Sequence, residues 1–122
     1  FIMKKVLIIE DDEAISRVYS IKLNQGKAET IIASDGEEGF KKITSEKPDL
    51  ILLDLMLPNK DGFWVLEEIA KHAELKKIPV LILSNLGQQA DIDRAMKLGA
   101  KDYFIKTSIS VNEMAEKINK YL

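Results

Sequence analysis

The chain has no cysteine. Disulfides and thiolate metal sites are thereby excluded, and the redox environment stays open. It also lacks any apolar run near the ~20 residues that a membrane-spanning helix needs, and no signal peptide precedes the first strand-like segment. The cytoplasm is therefore the simplest compartment, and no membrane partner is expected. Charge of neither sign dominates: 18 Lys plus Arg stand against 20 Asp plus Glu, a net charge of −2. That balance gives no general attraction to nucleic acid. No linker, low-complexity segment or internal repeat is visible. Neither GxxxxGK[ST] nor GxGxxG occurs, which disfavours nucleotide enzymes. The one histidine, His72, sits among charged residues late in the third helical segment and reads as a surface residue.

What is present is 122 residues, 46% of them apolar, enough for one domain with a real core. Phe1 and Ile2 precede a Met-Lys-Lys that looks like a natural start. They are read as a possible cloning scar, with the domain running over 3–122. Short β-rich runs alternate with segments of helical period. The strand candidates are Lys4–Ile9, Ala28–Ala33, Asp49–Asp54, Pro79–Ser84 and Lys101–Lys106. "VLII", "LILL" and "VLIL" are continuously apolar, as strands covered on both faces should be, whereas "AETIIA" is mixed and suits an edge.

Helical stripes run through Leu66, Ile69, Ala70 and Ala73 and through Val111, Met114, Ala115 and Ile118. A shorter one, Ile92, Ala95 and Met96, stops at Gly99, a candidate C-cap. Ser34 with Glu37 and Ser110 with Glu113 have the capping-box pattern, and Asp61 suits an N-cap. Five strands and five helices in strict alternation predict an α/β fold, (βα)5. Its parallel sheet would have helices on both faces and the flavodoxin-like order 2-1-3-4-5.

In such a sheet all strands point their C-terminal ends at one rim. Strand 1 ends in "EDDE", Glu10 to Glu13, strand 3 in Asp54, strand 4 in Ser84 and strand 5 in Lys106. Each residue has an ordinary explanation alone: a solvated acidic loop favouring a helix N-terminus, turn residues, an exposed lysine. Their coincidence at four strand ends is what carries weight. With strands 1 and 3 adjacent, Glu10, Asp11 and Asp54 converge in the crevice where the strand order reverses. Carboxylates that close need a cation among them. Oxygen-only donors select a hard one, Mg²⁺ before Ca²⁺.

These residues, with "LPNKDG" after Asp54 and "GAKDY" entering strand 5, resemble the receiver domain of two-component response regulators, in a chemotaxis-regulator-like form. The resemblance covers essentially the whole chain. It implies Asp54 as phosphoacceptor from the phosphohistidine of a sensor histidine kinase or histidine phosphotransfer protein. Asp11 would be the direct Mg²⁺ ligand with Glu10 as its partner, and Met56 would offer its backbone carbonyl. Lys106 and Ser84 would contact phosphoryl oxygens, and Tyr103 holds the place of the aromatic switch residue. The face of helix 4, strand 5 and helix 5 would bind a downstream partner or a second copy. The protein would be a switch and not an enzyme beyond its own phosphorylation and dephosphorylation. The five βα units consume all 122 residues, so no output domain is expected within them, and no direct nucleic-acid contact.

Three departures from the family pattern stand out. Lys106 is followed by Thr107 where Pro is usual, and a cis non-proline bond costs about 2.5–4 kcal/mol, so a trans peptide is expected. Met56 and Leu86 are apolar where relatives place groups that influence hydrolytic water, and are expected to shield the acyl phosphate. Asn85 is bulkier than the usual small residue and is expected to hinder small phosphodonors. Two other readings compete. A haloacid-dehalogenase-like phosphatase expects a second Asp where Met56 stands. A non-phosphorylated interaction module would be expected if the rim set were broken.

Overall fold

A computed structural model describes residues 3–26 and 28–122. The reading of Phe1 and Ile2 as a scar lies outside them. Five strands, β1 (Lys4–Ile9), β2 (Ala28–Ala33), β3 (Leu50–Leu53), β4 (Val80–Ser84) and β5 (Asp102–Ile105), pair in parallel in the order β2-β1-β3-β4-β5. They alternate with α1 (Glu13–Gln25), α2 (Gly36–Glu46), α3 (Gly62–Ala70), α4 (Gln89–Lys97) and α5 (Val111–Tyr121). The expected architecture and order are therefore both present, and "AETIIA" is indeed an edge strand. There the Lys42 ammonium donates to the Ile32 carbonyl (2.6 Å), covering one group of the open edge. No helix among the described residues is long and apolar enough to cross a membrane.

The unbroken apolar runs follow from period-two alternation in a sheet covered twice. Leu7, Ile9, Ile51, Leu53, Val80 and Ile82 face one way, with Ile43 of α2, Leu66 and Ile69 of α3 and Ala95 of α4. Val6, Ile8, Leu50, Leu52, Leu81 and Leu83 face the other, with Tyr19 and Leu23 of α1 and Met114, Ala115 and Ile118 of α5. A strand that must be apolar at every position can carry a polar group only where it emerges. That places Glu10, Asp54, Ser84 and Lys106 at the rim.

The helix ends were mostly readable. Ser110 and Glu113 form the full capping box, and Asp61 accepts from the Trp64 N–H (2.9 Å). Gly99 lies one residue past the cap, at φ 113. Its N–H donates to the Met96 carbonyl while that of Ala100 donates to Ala95, closing a Schellman motif. Two expectations are corrected. The Ser34–Glu37 box is displaced by one residue: Asp35 caps α2 by accepting from the Glu38 N–H, and the Glu38 carboxylate accepts from the Ser34 N–H. Helix α3 ends at Ala70, so Ala73 and His72 lie beyond it. Burial of Leu75 in a 3₁₀ turn, Leu75–Lys77, draws the chain off the helical path. His72 is exposed, its ring 6.1 Å from that of Phe40. No cis peptide occurs among the described residues, and Lys106–Ser108 form a 3₁₀ turn before α5.

Candidate functional site

Asp54 follows β3 directly, and its backbone N–H continues the ladder to the Ile9 carbonyl (3.0 Å). Its side chain is only 5% exposed yet fully engaged. Oδ2 accepts from the Lys106 ammonium at 2.8 Å, and Oδ1 accepts from the Met56 N–H at 3.1 Å. Glu10, 4% exposed, emerges from β1 next door. It also pairs with Lys106, and its second oxygen accepts from the Asp12 N–H (3.1 Å). Asp12 in turn caps α1 through the Ala14 and Ile15 N–H groups. Part of "EDDE" is thus the helix-terminus device that acidic βα loops often are. Asp11, exposed, completes a triad with Glu10 and Asp54 in which one carboxylate oxygen from each lies within 4.8 Å of the others.

Electrostatics in this crevice is set by burial against one cation. Burial pushes the Glu10 carboxyl above the usual carboxylate range. The bonds from Lys106 and the Asp12 amide oppose this, and the neighbouring Asp54 adds to it. Burial alone would lower the Lys106 ammonium, but its hydrogen bonds to Asp54 and Glu10 prevail and hold it above its ordinary value. One ammonium shared by two buried carboxylates leaves the pocket an excess of negative charge, which suits a divalent cation. The donors are oxygens only, the set a hard ion prefers.

Ser84, fully buried at the end of β4, is on the same rim. Its hydroxyl oxygen accepts from the Leu86 N–H (3.3 Å), which leaves its own proton available. Tyr103 is half-buried against the core, and its hydroxyl donates to the Leu86 carbonyl (2.5 Å). Burial, then the charges of Asp91 and Asp54, raise its phenol above the ordinary value. The Leu86 backbone thus joins Ser84 to Tyr103. Sequence reasoning missed this because main-chain hydrogen bonds leave no mark on residue type. The side chain of Leu86 packs against the core, whereas Met56 is 56% exposed at the mouth, so any shield falls chiefly to Met56. Asn85 is exposed between Ser84 and Leu86.

Known proteins match this chain along nearly its whole length. A family model described as the response regulator receiver domain matches residues 6–119. The DNA-binding dual master transcriptional regulator RpaA of Synechocystis sp. is 40% identical over 120 residues, which are 98% of this chain and 49% of that protein. The chain spans about half the length of the curated relatives it matches. Among solved structures, the receiver domain of the Francisella response regulator 1452 superposes with a TM-score of 0.88. It is 30% identical, over 97% of this chain and 95% of that one. The Mn²⁺-bound form of response regulator Rcp1 gives a TM-score of 0.83 at 32% identity, over 96% and 92%. With its sheet order, its rim of acids and lysine and this match along nearly its whole length, the chain belongs to the response regulator receiver domain family.

Proposed function

We propose that this domain accepts a phosphoryl group onto Asp54 from a phosphohistidine of a sensor histidine kinase or histidine phosphotransfer protein, in the cytoplasm. The observation that carries the reading is the convergence of Glu10, Asp11 and Asp54 with the Lys106 ammonium set between two of them. An Asp54 oxygen forms the new bond to phosphorus as the bond from phosphorus to the imidazole nitrogen breaks. The imidazole leaves with that electron pair. Such a transfer needs positioning and charge neutralisation more than covalent help. Lys106 neutralises part of the charge gathering on the phosphoryl oxygens, and the Met56 N–H holds the acceptor carboxylate in place.

The converging Glu10, Asp11 and Asp54 oxygens suit Mg²⁺, which those three residues and the Met56 carbonyl would hold; when bound it would supply the remaining positive charge. The Mn²⁺ bound to Rcp1 at 32% identity supports a divalent ion here. Beyond this self-directed chemistry the domain acts as a switch, not an enzyme. A phosphoryl group on Asp54 offers the Ser84 hydroxyl a stronger acceptor. A shift of Ser84 moves Leu86 and with it Tyr103 on β5. The output is the face of α4, β5 and α5, toward a downstream partner or a second copy.

The test is incubation with Mg²⁺ and acetyl phosphate, or beryllofluoride, followed by intact-mass analysis. One adduct that disappears in Asp54→Asn is the expected result. No adduct even with a cognate kinase would sink the proposal and favour a pure interaction module. The exposed Met56 gives a further expectation. Met56→Gln should shorten the phosphoryl lifetime several-fold, because its amide oxygen at the mouth can accept a hydrogen bond from the attacking water and orient it. An unchanged decay rate would remove Met56 from the mechanism.

A further inference from the structure

The loop from Asp54 to Asp61 carries the acceptor carboxylate, the Met56 N–H that holds it and the Met56 carbonyl offered to the ion. What fixes this loop lies away from the site. Asn59 adopts a left-handed conformation (φ 64), which asparagine tolerates better than most side chains. From there its amide donates to Oδ2 of Asp35 at 2.8 Å. The next residue, Lys60, accepts at its carbonyl from the Gly36 N–H at 3.0 Å. Two consecutive loop residues are thus stitched to the first two residues of the α2 terminus.

Asp35 serves both sides at once, because its Oδ1 accepts from the Glu38 N–H (2.7 Å) and caps the helix. Helix α2 is in turn anchored in the core by Ile43. These bonds hold the Asp35 carboxyl below its ordinary value, the Glu38 amide first and the Asn59 amide second. The bond to Asn59 is therefore charge-assisted at neutral pH.

We propose that Asp35 and Asn59 form a positioning clasp for the divalent-ion site. They set ion affinity by holding the β3–α3 loop in its ligating conformation without touching the ion. The inference rests on the reading of Glu10, Asp11, Asp54 and Met56 as the donors. A loop released from the clasp must be ordered at the moment of binding, and that ordering is subtracted from affinity. Partners one step removed from the ligands change metal affinity by about 10–100-fold in other proteins, and the lower end suits an exposed pair.

Two substitutions separate the clasp from mere stability. Asn59→Gly keeps the left-handed backbone and removes the amide. Asp35→Ser keeps a good N-cap for α2 but is too short to reach residue 59. MgCl₂ is titrated calorimetrically into the metal-free chain, with thermal melts in parallel. Each single variant should bind Mg²⁺ about tenfold more weakly, and the double variant no more weakly than either, since all three lose the same bond. Falling melting temperatures with unchanged Mg²⁺ affinity overturn the clasp, and so do losses that multiply in the double variant. A wild-type chain that binds no Mg²⁺ overturns the ion-site reading and the clasp with it; wild-type binding with unaltered variants overturns the clasp alone.

Discussion

Replacing Lys106 with methionine should lower folding stability by about 3 kcal/mol at neutral pH in metal-free buffer, the lower end of what breaking a buried ion pair costs. Methionine keeps an apolar stem of similar length, so the loss isolates the charge. In its place Glu10 and Asp54, 4% and 5% exposed, face each other with no ammonium between them. The pH dependence follows from the shifts. In the native chain burial raises Glu10, so folding retains its proton. Stability is lost as pH rises from the ordinary value of 4.5 through the raised one. In Lys106→Met the lowering partner is gone while burial and Asp54 remain, so that window extends upward. The deficit should therefore grow as pH rises above 4.5. Lys106, itself raised, contributes stability that is complete below 10.5 and lost above it, an alkaline limb the variant should lack. Saturating Mg²⁺ should restore part of the loss. Phosphoryl acceptance should slow roughly a hundredfold, as when one preorganised charge-stabilising donor is removed. Urea unfolding across pH, with and without Mg²⁺, checks the first part and acetyl phosphate kinetics the second. A variant as stable as the parent at pH 7 would show that Lys106 is not the counter-charge of the crevice.

That Lys106 shares a rim with Glu10 and Asp54 was legible in the sequence, although its direct pairing with both was not, and the reason is physical. Strands buried on both faces admit polar groups only at their ends, so "LILLD" and "VLIIEDDE" announce where chemistry can sit. The parallel order then brings those ends together. Features that depend on one or two residues of register were less visible. Ser34 and Asp35 are both good caps with an acid three positions on. The bonds across the fold, Asn59 to Asp35 and Gly36 to Lys60, accompany the second. Ala73 continues the periodic stripe of α3, but Leu75 is worth more buried than the helix is extended. The linkage of Ser84 to Tyr103 runs through the main chain of Leu86, which any residue but proline could supply at the nitrogen. "LPNKDG" reads as a turn. Its glycine's true constraint is the close approach of the Asp54 carbonyl oxygen and the Leu55 backbone, which a turn pattern does not show.

Gly62 tests that constraint with a result of contested sign. It is the first residue of α3, with an unremarkable backbone, and alanine is the better helix former there by up to about 1 kcal/mol. Propensity alone therefore predicts that Gly62→Ala stabilises. The packing predicts the reverse. A Cβ at this position would lie 2.4 Å from the Asp54 carbonyl oxygen and 2.7 Å from the Leu55 Cα, both backbone atoms that no side-chain rotation can clear. The Gly62 N–H already donates to the Leu55 carbonyl at 3.0 Å, closing the loop on itself. To admit a methyl group the chain must part at the acceptor. Overpacking of this kind costs about 1–3 kcal/mol, and displacement of a reacting group by about 1 Å can cost a hundredfold in rate. The variant should therefore unfold at lower urea concentration and take phosphoryl groups from acetyl phosphate roughly a hundredfold more slowly. A matched Gly26→Ala control, whose Cβ would come no closer than 3.6 Å to its nearest neighbour, should leave that rate unchanged. Stabilisation of Gly62→Ala, or an intact rate, would mean that the loop yields easily and that the Asp54 carboxylate is held by Lys106 and the Met56 amide alone.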